Sequence, residues 1–298
     1  MAHTIRICMF NADVPVPIVH AQKASTYGRI FHQILAAAGR QILPNTIIES
    51  IDYDVMKGEF PASLADVDAI FVSGSAYSTY DDKEWIRRLD DYIFGVYCSH
   101  SKVKIFGSCF GHQLICQSLL KRFGVKIEAD PKGWEIGVKE IALHERFRHM
   151  LGKNSKCLAS QSIPKKMRLQ FVHHDHVVIP NPEILPSSWV MLGSTQHCAV
   201  QGVYEPGRIL TFQGHFEFDR LVNSETIKFF FPTWAPEVLK ETLEAIDSED
   251  DAISAAEIVL RFLAEKSMDE CAATHAIDDG LFTQPLQPCM CEVVCNAN

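Results

Sequence analysis

The chain has no uninterrupted apolar run of about 18 residues, so nothing in it reads as a membrane span. Its first residues, MAHTIRICMF, lack a basic stretch ahead of an apolar segment and lack a small-residue cleavage site. They read as a first strand and not as a signal peptide. Basic residues are the minority, 28 Lys and Arg against 37 Asp and Glu, and they are scattered. That distribution, with a net charge of −9, argues against a nucleic-acid partner. No internal repeat is visible, which excludes solenoids and propellers. Without an export signal, the ten cysteines read as thiols of a reducing compartment and the chain as cytoplasmic.

What is present is an alternation of strand-like and helix-like segments. Thr4–Met9 reads as a strand, Tyr27–Ala38 as a helix ended by Gly39, Thr46–Ile51 as a second strand and Ala69–Ser73 as a short buried one. An amphipathic helix over Glu84–Tyr97 leads into the strand Lys102–Phe106. This rhythm predicts an α/β fold with an open, mostly parallel, flavodoxin-like sheet and helices on both faces. From about residue 125 to 212 the segments shorten: Gly137–Ala142, Gln170–His173, Trp189–Thr195, Ala199–Tyr204 and Arg208–Gln213 read as added antiparallel strands of the same domain. Glu237–Ile246 and Ala252–Lys266 close a domain of residues 1–266, and residues 267–298, where periodicity fades, read as a tail.

The segment GSCFGHQ, residues 107–113, stands where a strand gives way to a helical pattern. A nucleophile between two glycines at such a junction is an elbow. The sharp turn lifts the side chain of Cys109 above the sheet edge, and Gly107 and Gly111 let helix and strand cross closely. The start of the following helix favours a thiolate, and the free N–H of Phe110 suits an oxyanion. A thiolate needs a base. In ILTFQGHFEFD, residues 209–219, a strand breaks at Gly214, and His215 and Glu217 follow two apart, on one face of an extended segment. Glu217 can therefore orient the imidazole of His215, as in a catalytic triad. Gly74 and Ser75, after the strand Ala69–Ser73, offer further oxyanion donors.

The segments G-S-C-F-G-H-Q, V-S-G-S at 72–75 and Q-G-H-F-E at 213–217 together resemble the class I glutamine amidotransferases, over roughly residues 4–265. The nearest types are stand-alone members similar to the glutaminase half of GMP synthase and to the plant γ-glutamyl peptidases. The resemblance implies a Cys-His-Glu triad of Cys109, His215 and Glu217, and no cofactor. It further implies that Gln113 holds the amino-acid end of the substrate. FVHHDHVVIP, residues 171–180, resembles the family's H-G-D-x-V segment; on that match Val172 and His174 supply main-chain contacts and Asp175 steadies the loop. Three positions depart from the pattern: Phe216 replaces a proline and is expected to loosen its loop, His174 replaces a glycine, and Ser75 replaces a second glycine.

A metal at His173, His174, Asp175 and His176 is disfavoured, because neighbours on an extended segment point to opposite faces. Cys289, Cys291 and Cys295 supply three metal or redox ligands without a nearby fourth. The expected chemistry is hydrolysis of a γ-glutamyl amide, in glutamine or a γ-glutamyl conjugate, through a thioester on Cys109. The sequence leaves three alternatives: a subunit handing ammonia to a separate synthase, a triad serving another acyl group, and a relative that only binds a metabolite or protein.

Overall fold

The computed structural model describes residues 3–155 and 162–265, so the expected tail, 267–298, with Cys289, Cys291 and Cys295, lies outside the described residues. In chain order the elements are β1 (His3–Asn11), α1 (Pro17–Gln22), α2 (Tyr27–Ile42), β2 (Thr46–Asp54), β3 (Ala69–Val72), α3 (Glu84–Ser99), β4 (Lys104–Ser108) and α4 (Phe110–Leu120). Then come β5 (Lys126–Ala129), β6 (Glu135–Leu143), α5 (Glu145–Asn154), β7 (Lys166–His173), β8 (Asp175–Val178), β9 (Val190–Met191), β10 (Gly193–Ser194), β11 (Val203–Glu205) and β12 (Ile209–Phe212). Three helices close the described chain: α6 (Arg220–Phe230), α7 (Pro236–Ile246) and α8 (Ala252–Leu263). None of the described helices is long and apolar enough to cross a membrane.

The main sheet runs β2-β1-β3-β4-β12-β11-β9. Its first five strands are parallel, and β11 pairs antiparallel with both β12 and β9. The strands β3, β4 and β12 are buried at every residue, as parallel strands covered on both faces must be. One core, under α2 and α8, joins Phe31, Phe71, Phe106, Phe212 and Leu260. The other, under α3 and α4, joins Ile70, Val72, Ile105, Phe110 and Leu114. Thr26 starts α2 by accepting the Arg29 N–H at 3.1 Å. Gly39 does not end that helix; it sits buried inside it, against Ile48 of β2 and Leu260 of α8.

The added strands are antiparallel, but they do not all extend the main sheet. One three-stranded sheet has the order β10-β6-β7, and β5 pairs with β8. The segment expected as one strand over Trp189–Thr195 divides between two sheets, β9 going to the first and β10 to the second. Among the described residues, Cys8, Cys109, Cys116 and Cys198 are free thiols.

Candidate active site

The carboxyl edge of the parallel strands is where the loops carrying chemistry converge, as in other open α/β sheets. Cys109 leaves β4 with φ 50° and ψ −107°, the one described non-glycine residue with positive φ, and caps the start of α4. Its N–H donates to Phe212 O of the neighbouring β12 at 2.9 Å, tying the turn to the sheet. The flanking glycines are steric necessities. A Cβ on Gly111 would stand 2.3 Å from Val72 O, and one on Gly107 would stand 2.5 Å from the Gly111 carbonyl. Helix α4 starts at Phe110, the residue directly after the cysteine.

Strand β12 ends two residues before Gly214, and the chain continues extended, with His215 N–H donating to Gln170 O of β7 at 2.8 Å. His215 Nδ1 lies 2.8 Å from Glu217 Oε1, and both residues are buried. Nε2 is buried with no hydrogen-bond partner among the described residues. A Cβ placed on Gly74 would lie 2.8 Å from His215 Cε1 and 3.5 Å from Cys109 Cβ, so imidazole and cysteine meet beside Gly74. The Phe218 ring stacks on the imidazole, centroids 4.0 Å apart and planes 17° from parallel. Burial opposes a charged ring here, but the Glu217 carboxylate, and then the Cys109 sulfur, outweigh it. The His215 pKa is pushed up to about 10. The ring therefore carries a proton at neutral pH, fixed by Glu217 on one side and aimed at the cysteine side on the other.

Phe216, expected to loosen this loop, anchors it. Its side chain leaves the extended segment on the side opposite His215 and Glu217. It packs fully buried against Phe31, Phe106 and Phe212, with centroids 5.3–6.0 Å away. The histidine of the elbow, His112, belongs to the core. Its Nδ1 lies 2.8 Å from Thr211 Oγ1, and burial, reinforced by His173, pushes its pKa down to about 3.

Of the other residues singled out in the sequence, Gly74, Ser75, Gln113, Val172 and His174 line one cavity of about 460 Å3 together with Cys109 and His215. The Gln113 Nε2 donates to Asp175 O at 2.9 Å and to Gln213 Oε1 at 3.1 Å. Because a carbonyl only accepts, those bonds fix the amide and leave its oxygen as what Gln113 can offer a ligand. The His174 carbonyl accepts the Asp130 N–H at 2.8 Å. Asp175 ties the rim, accepting from Tyr80 OH at 2.9 Å. The histidines proposed against as metal ligands diverge: His173 Nε2 bonds Glu135 at 2.9 Å, while His176 Nδ1 lies 3.1 Å from Asp130. Burial would raise the Glu135 pKa, but hydrogen bonding by His173, with Thr195 and Gln201, holds it below the ordinary value.

Two polar groups escaped the sequence reading. Ser108 Oγ sits 3.2 Å from Glu217 Oε1 and 3.4 Å from His215 Nδ1, fully buried behind the pair. Asp13 accepts the Ala76 N–H at 2.8 Å and so fixes the loop after Gly74. Both contacts join residues 63 or more positions apart, and no local spacing signals them.

A buried imidazole–carboxylate pair facing an elbow cysteine on an open α/β sheet defines a class of proteins, and comparison gives the family. Residues 26–231, more than half of the chain, match the class I glutamine amidotransferase model, and the chain belongs to that family. A glutamine amidotransferase-like protein of Schizosaccharomyces pombe is 28% identical over 269 residues, 87% of this chain and 98% of the relative. Gamma-glutamyl peptidase 3 of Arabidopsis thaliana is 27% identical over 207 residues, 68% of this chain and 74% of that one. A glutamine amidotransferase of Thermotoga maritima shares the fold, with TM-score 0.61 and 16% identity over 88% of this chain and all of its own.

Proposed function

We propose that the protein hydrolyses a γ-glutamyl amide through a covalent thioester on Cys109. The observation that carries this reading is the buried His215–Glu217 pair with a bare Nε2 beside a cysteine held at positive φ. Cys109 Sγ attacks the γ-carbonyl, and the oxyanion takes hydrogen bonds from the N–H groups of Phe110 and of Gly74 or Ser75. As the C–N bond breaks, His215 Nε2 gives its proton to the departing nitrogen, leaving the γ-glutamyl group on sulfur. Water then attacks the thioester, its proton passes to His215, and glutamate departs. Glu217 holds the ring's orientation throughout and keeps the proton on Nδ1 once Nε2 has given its own away. The Gln113 oxygen suits the substrate's α-ammonium group, an expectation from chemistry consistent with its committed nitrogen. Relatives named gamma-glutamyl peptidases support the substrate class.

The test is glutamate release from glutamine and from γ-glutamyl conjugates. Cys109→Ala and Cys109→Ser are expected to lose activity by at least roughly 10⁴-fold while keeping the native circular dichroism spectrum. An undiminished rate in either variant rejects the mechanism.

A further inference from the structure

The cavity beside Cys109 is large for glutamine alone; about 460 Å3 lies within the range of sites that enclose drug-sized ligands. Its chemistry is divided. Around the sulfur are backbone N–H groups and the Gln113 amide, which suit the charged glutamyl half of a substrate. Farther out the lining is aromatic: Tyr77, Tyr80, Trp134, His174, Phe230 and Phe231. Trp134 contacts the His174 ring at 5.3 Å and the Phe231 ring edge-on at 4.9 Å, so three rings form one continuous wall. Yet Trp134 is 46% exposed, Phe230 47% and Tyr80 51%, a concentration of open apolar surface at a cavity mouth that a bound apolar group would cover. Among the described lining residues there are two carboxylates, Asp13 and Asp175, and no lysine or arginine. An amine half bearing its own carboxylate would meet no matching charge there.

We infer that the preferred substrate carries a flat, apolar and uncharged group on the nitrogen side of the scissile amide. This reading rests on γ-glutamyl hydrolysis by Cys109 and names what that site accepts. The reaction is a γ-glutamyl arylalkylamide plus water giving glutamate plus the free amine. The C–N bond is exchanged for a C–S bond and then a C–O bond, with the proton on His215 going to the amine. Ammonia, the leaving group from glutamine, has no surface to place against Trp134. His174 is part of the selectivity, because the glycine usual in its place would have no ring to offer.

The experiment measures kcat/KM for four substrates: γ-glutamylbenzylamide, γ-glutamylethylamide, γ-glutamylphenylalanine and glutamine. Benzylamine is the weaker base of the two leaving amines, so contact is read from the change of the benzyl-to-ethyl ratio between the native protein and the variants, where the difference in reactivity cancels. The benzylamide is expected to exceed the ethylamide and glutamine by at least about tenfold, each tenfold being 1.4 kcal/mol. The γ-glutamylphenylalanine value is expected to fall below the benzylamide. In Trp134→Ala and in Phe230→Ala the benzyl-to-ethyl ratio is expected to drop towards one, mainly through KM. Both side chains are half-exposed, and two separate variants guard against a folding defect in one. Equal turnover of benzylamide, ethylamide and glutamine overturns the inference and leaves the proposed function standing. An unchanged ratio in both variants also overturns it. Release of glutamate from none of the four overturns the function itself.

Discussion

The proton on His215 sets the pH behaviour expected of the site. Its pKa is raised to about 10, so the ring keeps its proton until the solution is strongly alkaline. In the proposed mechanism that proton is the leaving-group acid, present at neutral pH and lost as pH rises through about 10. A pH profile of kcat/KM is expected to show its alkaline limb there, and Glu217→Gln, which removes the largest favourable contribution, is expected to move the limb towards neutrality. The same variant should lower kcat/KM by roughly 10³- to 10⁴-fold, the scale seen when a triad carboxylate is neutralised. Ser108 acts through Glu217 and is a positioning residue. Ser108→Ala is expected to cost about tenfold or less in kcat and to shift the alkaline limb, whereas loss of packing alone would leave the limb in place. Cys109, His215 and Glu217 could be singled out from the sequence because glycine spacing and i, i+2 alternation are local signals. Ser108 could not, since its partner lies 109 residues on and is fixed only by the pairing of β4 with β12.

The elbow is a compromise between strain and packing, and each part can be tested by stability. A non-glycine residue at φ 50° costs about 1–3 kcal/mol. Cys109→Gly is expected to be more stable than Cys109→Ala by about 1 kcal/mol in urea titrations, although neither retains a nucleophile. Gly111→Ala places a methyl 2.3 Å from Val72 O and is expected to destabilise by about 1–3 kcal/mol or more. The long elements could be read from periodicity because their burial follows it. Helix α3 and strand β1 come within two residues of their expected ends at most positions. Elements whose local sequence carries a different message depart from the periodic pattern. Gly39 resembles a stop signal but faces a close neighbour inside α2. Phe216 resembles a disruption of the family's loop, but its ring finds a hole among Phe31, Phe106 and Phe212 that no one-dimensional pattern displays.

At the scale of the molecule, Glu265 couples stability to pH. Burial first, against the hydrogen bonds of Tyr204 and Gly207, raises its pKa to about 7. Tyr204 OH donates to one carboxylate oxygen and the Gly207 N–H to the other at 2.6 Å. Between the unfolded value of 4.5 and about 7 the folded chain holds the extra proton. Stability contributed by that proton is full below 4.5 and is lost as pH rises to about 7. The loss is on the order of 3 kcal/mol at most. Urea midpoints are expected to fall across that window in the native chain and to flatten in Glu265→Gln. Overall architecture was legible from the βαβ rhythm, whereas the partition of the later strands into three sheets was not, because it depends on which edges remain unpaired. The sheet order has one more consequence. Neighbouring strands β4 and β12 bring together Ser108 and His215, 107 positions apart, so a ribosome must deliver all of the intervening chain before the thiol meets its base. On the proposed mechanism, chains ending short of residue 217 are expected to release no glutamate from a γ-glutamyl amide, because they lack the imidazole and carboxylate that β12 delivers to Cys109.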